Sequence, residues 1–284
     1  MESMFESVRP VHELPSLTED YVLTEEQIAS FQRDGHIMLK QVADSREVAM
    51  YREEIAEMVR RLNRETRPLK ERDAYGKAFL QIMNIWEKSE AVRKFALARR
   101  FAKAAAELMG VDGVRIYHDQ ALFKEPGGGP TPWHQDQIYW PLDTDKMITM
   151  WMPLTPIPAD VGSLTFATGS HKLGYVSKLE ISEDSHKTLA QFIEARGIPT
   201  MNYGAMDAGD ATFHYGWTLH SAPGNPTGAM REVMTVIYYA DGAKVLEPDT
   251  NARRRDLARW LPGLAPGDAA ASPLNPLVWH KKSS

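Results

Sequence analysis

Residues Pro132 to Trp140 read PWHQDQIYW, a histidine and an aspartate two positions apart in a run of aromatics. On an extended strand alternate side chains share a face, so His134 and Asp136 point one way and Gln135 the other. Two metal-ligand types then converge without any long-range folding requirement. The same spacing also arises on ordinary surfaces by chance, because short motifs match often. Downstream, WTLHSAPGNPTGAMREV supplies His220 at a strand end, a turn through Pro223, Gly224 and Asn225, and Arg231 opening the next apolar strand. Two histidines and one carboxylate make the facial set that grips a redox-active iron on one side and leaves the opposite positions open. The eleven residues from His220 to Arg231 suffice to cross a hairpin, which would set a guanidinium deep in the same barrel. A buried arginine is costly without a partner.

The other histidines fit less well. His118 adjoins Asp119, so on a strand the two face opposite ways and do not chelate together. His214 competes with His220 as the distal ligand but stands seventeen residues from Arg231 and lacks the hairpin relation. His171 belongs to a turn-like TGSHKLG, and His12, His36, His186 and His280 read as surface or structural. Asp207 and Asp210 read as turn residues ahead of a strand.

Composition bounds the chemistry. The 284 residues are 43% hydrophobic and 25% charged, enough for a substantial globular core. There is no cysteine, which excludes disulfides, thiolate catalysis and cysteine-held zinc or iron–sulfur sites. A net charge of -5 lacks the basic footprint of nucleic-acid binding, so small molecules are the expected partners. The start, MESMFESVRPVHELP, has acids and a proline where a signal peptide needs a basic and then an apolar region. No apolar run approaches the ~20 residues that cross a bilayer. A cytoplasmic protein without membrane partners is expected.

The elements that would position these residues divide in two. The first third reads as helical: Thr24 and Gln27 form a capping box ahead of EEQIASFQRDG, with Gly35 as the stop. HIMLK follows as a strand, then an amphipathic helix carrying Val48, Tyr51, Ile55, Met58, Val59 and Leu62, and a further helix AVRKFALARRFAKAAAELMG closing on Gly110. From Val114 short β-like runs alternate with Gly, Pro and Asp, as in antiparallel barrels and jelly rolls. One helical excursion, Ser182 to Gly197, interrupts them. The tail NARRRDLARWLPGLAPGD reads as a solvated peripheral helix and loop.

At this point the pattern His134, Asp136, His220 and Arg231 resembles the phytanoyl-CoA dioxygenase family of iron(II)- and 2-oxoglutarate-dependent oxygenases, over roughly residues 35–242. GSLTFATGSHKLG resembles the family's Gly-Ser-Leu and Gly-Ser-His-Lys stretch. The resemblance implies one domain over residues 1–284: a double-stranded β-helix (jelly roll, cupin-like) core, mainly β with flanking helices, packed on an N-terminal helical layer, with 243–284 a peripheral tail. It implies Fe(II) on His134, Asp136 and His220, 2-oxoglutarate chelated there with its far carboxylate on Arg231, and O2 in the last position. Gln120, Lys124 and Trp151 resemble positions that help hold the cosubstrate. Where related halogenases have a small residue, Asp136 keeps a carboxylate, which favours hydroxylation. Ala222 replaces a serine the family often has two residues after the distal histidine.

A pocket walled by some of Tyr117, Trp133, Tyr139, Trp140, Phe213 and Trp217 suits a small hydrophobic or partly cyclic metabolite. No basic cluster for the phosphates of an acyl-CoA lies near the motif, although NARRRDLAR would supply one if the tail folded back. Two other readings remain open on the residues: a cupin-type metalloenzyme without 2-oxoglutarate, which leaves Arg231 unexplained, and a noncatalytic ligand-binding barrel.

Overall fold

The computed structural model describes residues 4–283. Its N-terminal layer holds α1 (Glu25–Asp34), α2 (Ser45–Leu62), α3 (Ala74–Ala78), α4 (Glu90–Ala96) and α5 (Arg99–Met109). The Thr24/Gln27 capping box is formed, and Gly35 ends α1 at φ 83°, where a Cβ would run into the His171 ring. AVRKFALARRFAKAAAELMG is two helices rather than one. Ala98 adopts an extended conformation between α4 and α5 while Phe95 and Phe101 pack at 5.1 Å across the break. Without Gly or Pro there, packing alone makes the corner, and nothing local announces it.

Two antiparallel sheets follow. The larger joins β1 (His36–Leu39), β2 (Leu80–Met83), β3 (Gly113–Phe123), β5 (Met147–Pro153), β8 (Ala211–Tyr215), β10 (Val233–Ala240) and β11 (Leu277–His280) in the order β1-β8-β5-β10-β3-β11, with β2 also on β3. The smaller is β4 (Thr131–His134), β9 (His220–Ala222), β6 (Thr165–Ala167) and β7 (Thr200–Asn202). This is the expected jelly-roll core.

Alternation sorts the larger sheet into two faces. Ile148, Met150, Met152, Met234, Val236 and Tyr238 join the helices in one core, whereas Thr149, Trp151 and Thr235 line a cavity that the smaller sheet closes from the far side. All seven residues of β5 are buried, as expected of a strand covered on both faces. A bulge in β3 changes its phase. Ile237 pairs with His118 but Tyr238 with Ile116, leaving Tyr117 unpaired. Val114 and Ile116 therefore face the helices while His118, Gln120 and Leu122 face the cavity.

Two expectations are corrected. The step from His220 to Arg231 is not a hairpin, because β9 and β10 lie in different sheets and the connection crosses between them. Nor is the C-terminal stretch peripheral. After α6 (Glu183–Ala195), α7 (Asn251–Trp260) brings Trp260, 4% exposed, against the cavity, and β11 joins β3. The Asn275 amide donates to the carbonyls of Ile116 and Tyr117, tying this segment to the bulge. Among the described residues no helix is long and apolar enough to cross a membrane.

Candidate active site

Strand β4 ends at His134, and Asp136 begins a 3-10 turn, so strand alternation does not bring the pair together. The turn does: Asp136 Oδ1 lies 3.4 Å from His134 Nε2 and 3.7 Å from His220 Nε2. His134 and His220 are direct cross-strand partners on β4 and β9. One ligand atom from each of His134, Asp136 and His220 falls within 4.8 Å of the others, a spacing suited to one metal ion.

The histidines are set to offer those atoms. His134 Nδ1 is 2.8 Å from the Pro132 carbonyl and His220 Nδ1 is 3.0 Å from the Thr218 carbonyl. A carbonyl only accepts, so each Nδ1 carries a proton and each Nε2 is the atom turned toward Asp136. Burial holds His220 well below the usual imidazole range, with His134 and His214 adding to it, so it stays neutral. Burial pushes the Asp136 carboxyl up, but His220, His134 and His214 outweigh that and hold it well below its usual range. A carboxylate with two imidazoles is the donor set that a divalent iron takes.

Arg231 lines the same cavity at 4% exposure. It donates from Nη1 to the Gly162 carbonyl at 2.9 Å and from Nη2 to the Leu122 carbonyl at 3.3 Å, while Nε has no partner. Its guanidinium lies 5.3 Å over the Trp151 ring. Gly162, at φ 66°, leaves room for it: a Cβ there would sit 3.0 Å from Nη1. Burial draws the guanidinium down to about 9, still protonated at neutral pH, and no carboxylate reaches it among the described residues. An unpaired buried cation of this kind calls for an anionic ligand.

The other residues expected at the site separate. Trp151 supports Arg231. Gln120 lines the cavity at the end of a chain in which Tyr75 donates to Gln81 and Gln81 to Gln120 Oε1, so the Gln120 amide N–H groups are left for a ligand. Lys124 does not line the cavity; its ammonium is turned to the Gly129 carbonyl and the Thr131 hydroxyl. Neither Ser221 nor Ala222 reaches the cavity. His214 is not a member of the ligand cluster, and its Nε2 lies 3.2 Å from Asp136 Oδ2. Of the six aromatics, Tyr139 and Trp140 form cavity wall. Tyr117 backs Trp140 at 5.6 Å, Phe213 lies in the core beneath the helices, Trp217 meets Tyr175, and Trp133 packs beside α6.

The cavity, about 410 Å³, also has a wall that sequence reasoning missed: Trp260, Asp256, Arg255 and Arg259 from α7, with Glu180 opposite. The one hint in the sequence was that NARRRDLAR would approach the motif if the tail folded back. Tyr117 donates to Asp256 Oδ2 at 3.0 Å, and burial pushes the Asp256 carboxyl up to about 7.

The phytanoyl-CoA dioxygenase (PhyH) family model matches residues 31–233. A probable alpha-ketoglutarate-dependent hypophosphite dioxygenase of Stutzerimonas stutzeri is 27% identical over 136 residues, and the match spans 46% of this chain and about half of that protein, 47%. An ectoine dioxygenase of Stutzerimonas stutzeri strain A1501 is 25% identical over 240 residues, 78% of either chain. The crystal structure of the epimerase SnoN with Fe3+, alpha ketoglutarate and nogalamycin RO superposes with a TM-score of 0.72 at 25% identity, covering 90% of this chain and 98% of that one. Fold and comparisons together define a non-haem iron- and 2-oxoglutarate-dependent dioxygenase, with O2 as co-substrate. Within that class the chain belongs to the phytanoyl-CoA dioxygenase family.

Proposed function

We propose that His134, Asp136 and His220 hold the iron, that Arg231 takes the far carboxylate of 2-oxoglutarate with Trp151 and Gln120 beside it, and that the substrate is a small, mostly hydrophobic metabolite that is hydroxylated. Arg231 carries this reading: it is a buried guanidinium with carbonyl partners only, in the same cavity as the ligand cluster. Trp151, under the guanidinium, stands two residues along β5 from Thr149, whose hydroxyl is on Asp136, a step of about 7 Å along a strand. The cupin-type reading without 2-oxoglutarate gives that cation no ligand, and a noncatalytic barrel is distinguished by binding iron without consuming O2.

Iron with 2-oxoglutarate and O2 supplies the oxidising power, the cosubstrate leaving as succinate and carbon dioxide. The chain's part is to orient and to keep water out. Leu122, Leu164 and Trp151 dry the Arg231 end, which strengthens a charge-assisted contact there. Toward α7, Met83, Tyr139, Trp140, His118 and Trp260 offer mostly aromatic surface for a substrate ring. The α7 arginines are partly engaged, Arg255 with Glu180, Arg253 with Asp249 and Arg259 over the Trp260 ring, so the mostly aromatic wall, and not a phosphate site, is what favours a small substrate over an acyl-CoA.

The test is cosubstrate turnover by the purified protein without added substrate, followed by succinate release. Succinate formed only when iron, 2-oxoglutarate and O2 are all present is the expected result. Metal-dependent turnover of a substrate under argon, with 2-oxoglutarate neither bound nor consumed, would instead establish the cupin-type alternative.

A further inference from the structure

Asp136 is the least anchored of the three proposed ligands. It stands on a 3-10 turn just past the end of β4, with no strand partner of its own. What fixes its carboxylate comes from the opposite sheet. Thr149 Oγ1 donates to Asp136 Oδ2 at 3.0 Å, and His214 Nε2 lies 3.2 Å from the same oxygen. Thr149 and His214 are direct partners in the β5–β8 register, 3% and 1% exposed, so both are held by the ladder itself. A carboxylate oxygen only accepts, so the His214 proton sits on Nε2. Its Nδ1 is then left buried with no partner, a cost the fold carries to keep this tautomer aimed at Asp136.

We propose that Thr149 and His214 are positioning residues that occupy Asp136 Oδ2 and leave Oδ1 alone facing the two imidazoles, so that the aspartate contributes one oxygen to the metal rather than two. The proposal rests on the iron reading above. Its consequence is a count of positions. A carboxylate that swung both oxygens inward would take up a place needed by 2-oxoglutarate or O2, whereas two donors on Oδ2 keep that place open. The His214 ring packs 4.4 Å from the His220 ring and 5.4 Å from the Phe166 ring.

The experiment compares Thr149→Val, which removes the donor at nearly constant volume, with Thr149→Ser, which keeps it, and adds His214→Phe. Ferrous ion affinity and stoichiometry are measured anaerobically without cosubstrate. The visible charge-transfer absorption on adding 2-oxoglutarate is recorded separately, and circular dichroism checks the fold. Thr149→Val and His214→Phe are expected to weaken iron binding by about 10–100-fold at unchanged stoichiometry, the range usual for loss of a partner hydrogen-bonded to a ligand. Thr149→Ser should bind iron like the unaltered protein. Equal iron affinity in Thr149→Val and Thr149→Ser would overturn the proposal. So would loss of iron stoichiometry in His214→Phe with Thr149→Val unaffected, since His214 would then be a ligand itself. Should His214→Phe fail to fold, the two Thr149 variants still decide. Because iron affinity is read without 2-oxoglutarate, failure of the clamp is separate from failure of the oxygenase reading, which would appear as no cosubstrate binding by the unaltered protein.

Discussion

Two aspartates face the one cavity and are treated in opposite ways. Asp136 has three imidazoles around it and is held well below the usual carboxyl range despite its burial; Asp256 has a phenol and is pushed up to about 7 by burial. The supports differ as well. Around Asp136 the neighbours stand on strands or strand ends, in register across two sheets. Around Asp256 they come from a C-terminal helix and the loop carrying Glu180. The strand-built end has the stiffness that ligand and cosubstrate geometry needs, and the helix-and-loop end is where a shared fold can vary its substrate.

The sharpest way to break this contrast is to remove the ionised carboxylate. Asp136→Ala, and equally His134→Ala, should leave a folded protein that binds no iron and forms no succinate. Retained turnover in either variant would refute the ligand assignment. Next in size is Arg231→Leu, which is expected to raise the 2-oxoglutarate dissociation constant by at least about 30-fold, since losing one side of a buried charge contact costs about 2–5 kcal/mol. Titration of the iron-loaded protein with 2-oxoglutarate reads it, and an unchanged constant would remove Arg231 from the site.

These three variants concern the part of the molecule that was most legible in the sequence. His134 and Asp136 are two residues apart, so a local geometry brings them together even though that geometry is a turn and not the strand expected. His220 and Arg231 were recognisable from their spacing, yet the hairpin inferred between them is a crossover between sheets. The Thr24 and Gly35 caps were legible because capping is a matter of neighbouring residues. The Thr149–His214 pair was not, because its two members lie 65 positions apart and meet only through strand register. The break at Ala98 was invisible for a similar reason: only packing bends the chain there. Trp260 and Asp256 were hidden because an arginine-rich helix reads as solvated until its docking is known.

Asp256 offers a smaller effect with a defined sign. Its pKa rises from 3.8 toward about 7 on folding, so between those values the folded state holds a proton that the unfolded chain has released. Stability therefore falls as pH rises through that window and stays reduced above it. Asp256→Asn keeps an acceptor for Tyr117 and cannot ionise. It should raise the Tm at pH 8 by a few degrees, about 1 kcal/mol moving a chain of this size by roughly 2–4 °C. Near pH 4 the gain should disappear. A gain of equal size at both values would mean that the Asp256 carboxyl is not held up by burial.

The smallest effect belongs to the ion pair beside it. Glu180 and Arg255 meet at 2.6 Å across the cavity mouth, but their side chains are 48% and 61% exposed. At that exposure water competes for both charges, and the pair contributes no more than about 1 kcal/mol. The same stretch has other attachments: Tyr139 accepts the Ile181 N–H at 3.0 Å, and Tyr175 packs edge-on to Trp217 at 5.5 Å. Glu180→Gln should thus change unfolding free energy by less than about 0.5 kcal/mol, and 0.5 M salt should reduce even that in the unaltered protein. Urea unfolding at low and high salt measures both. A loss several times larger would mean that charge, and not packing, secures the helix-built end, and the contrast with the strand-built end would then be one of electrostatics alone.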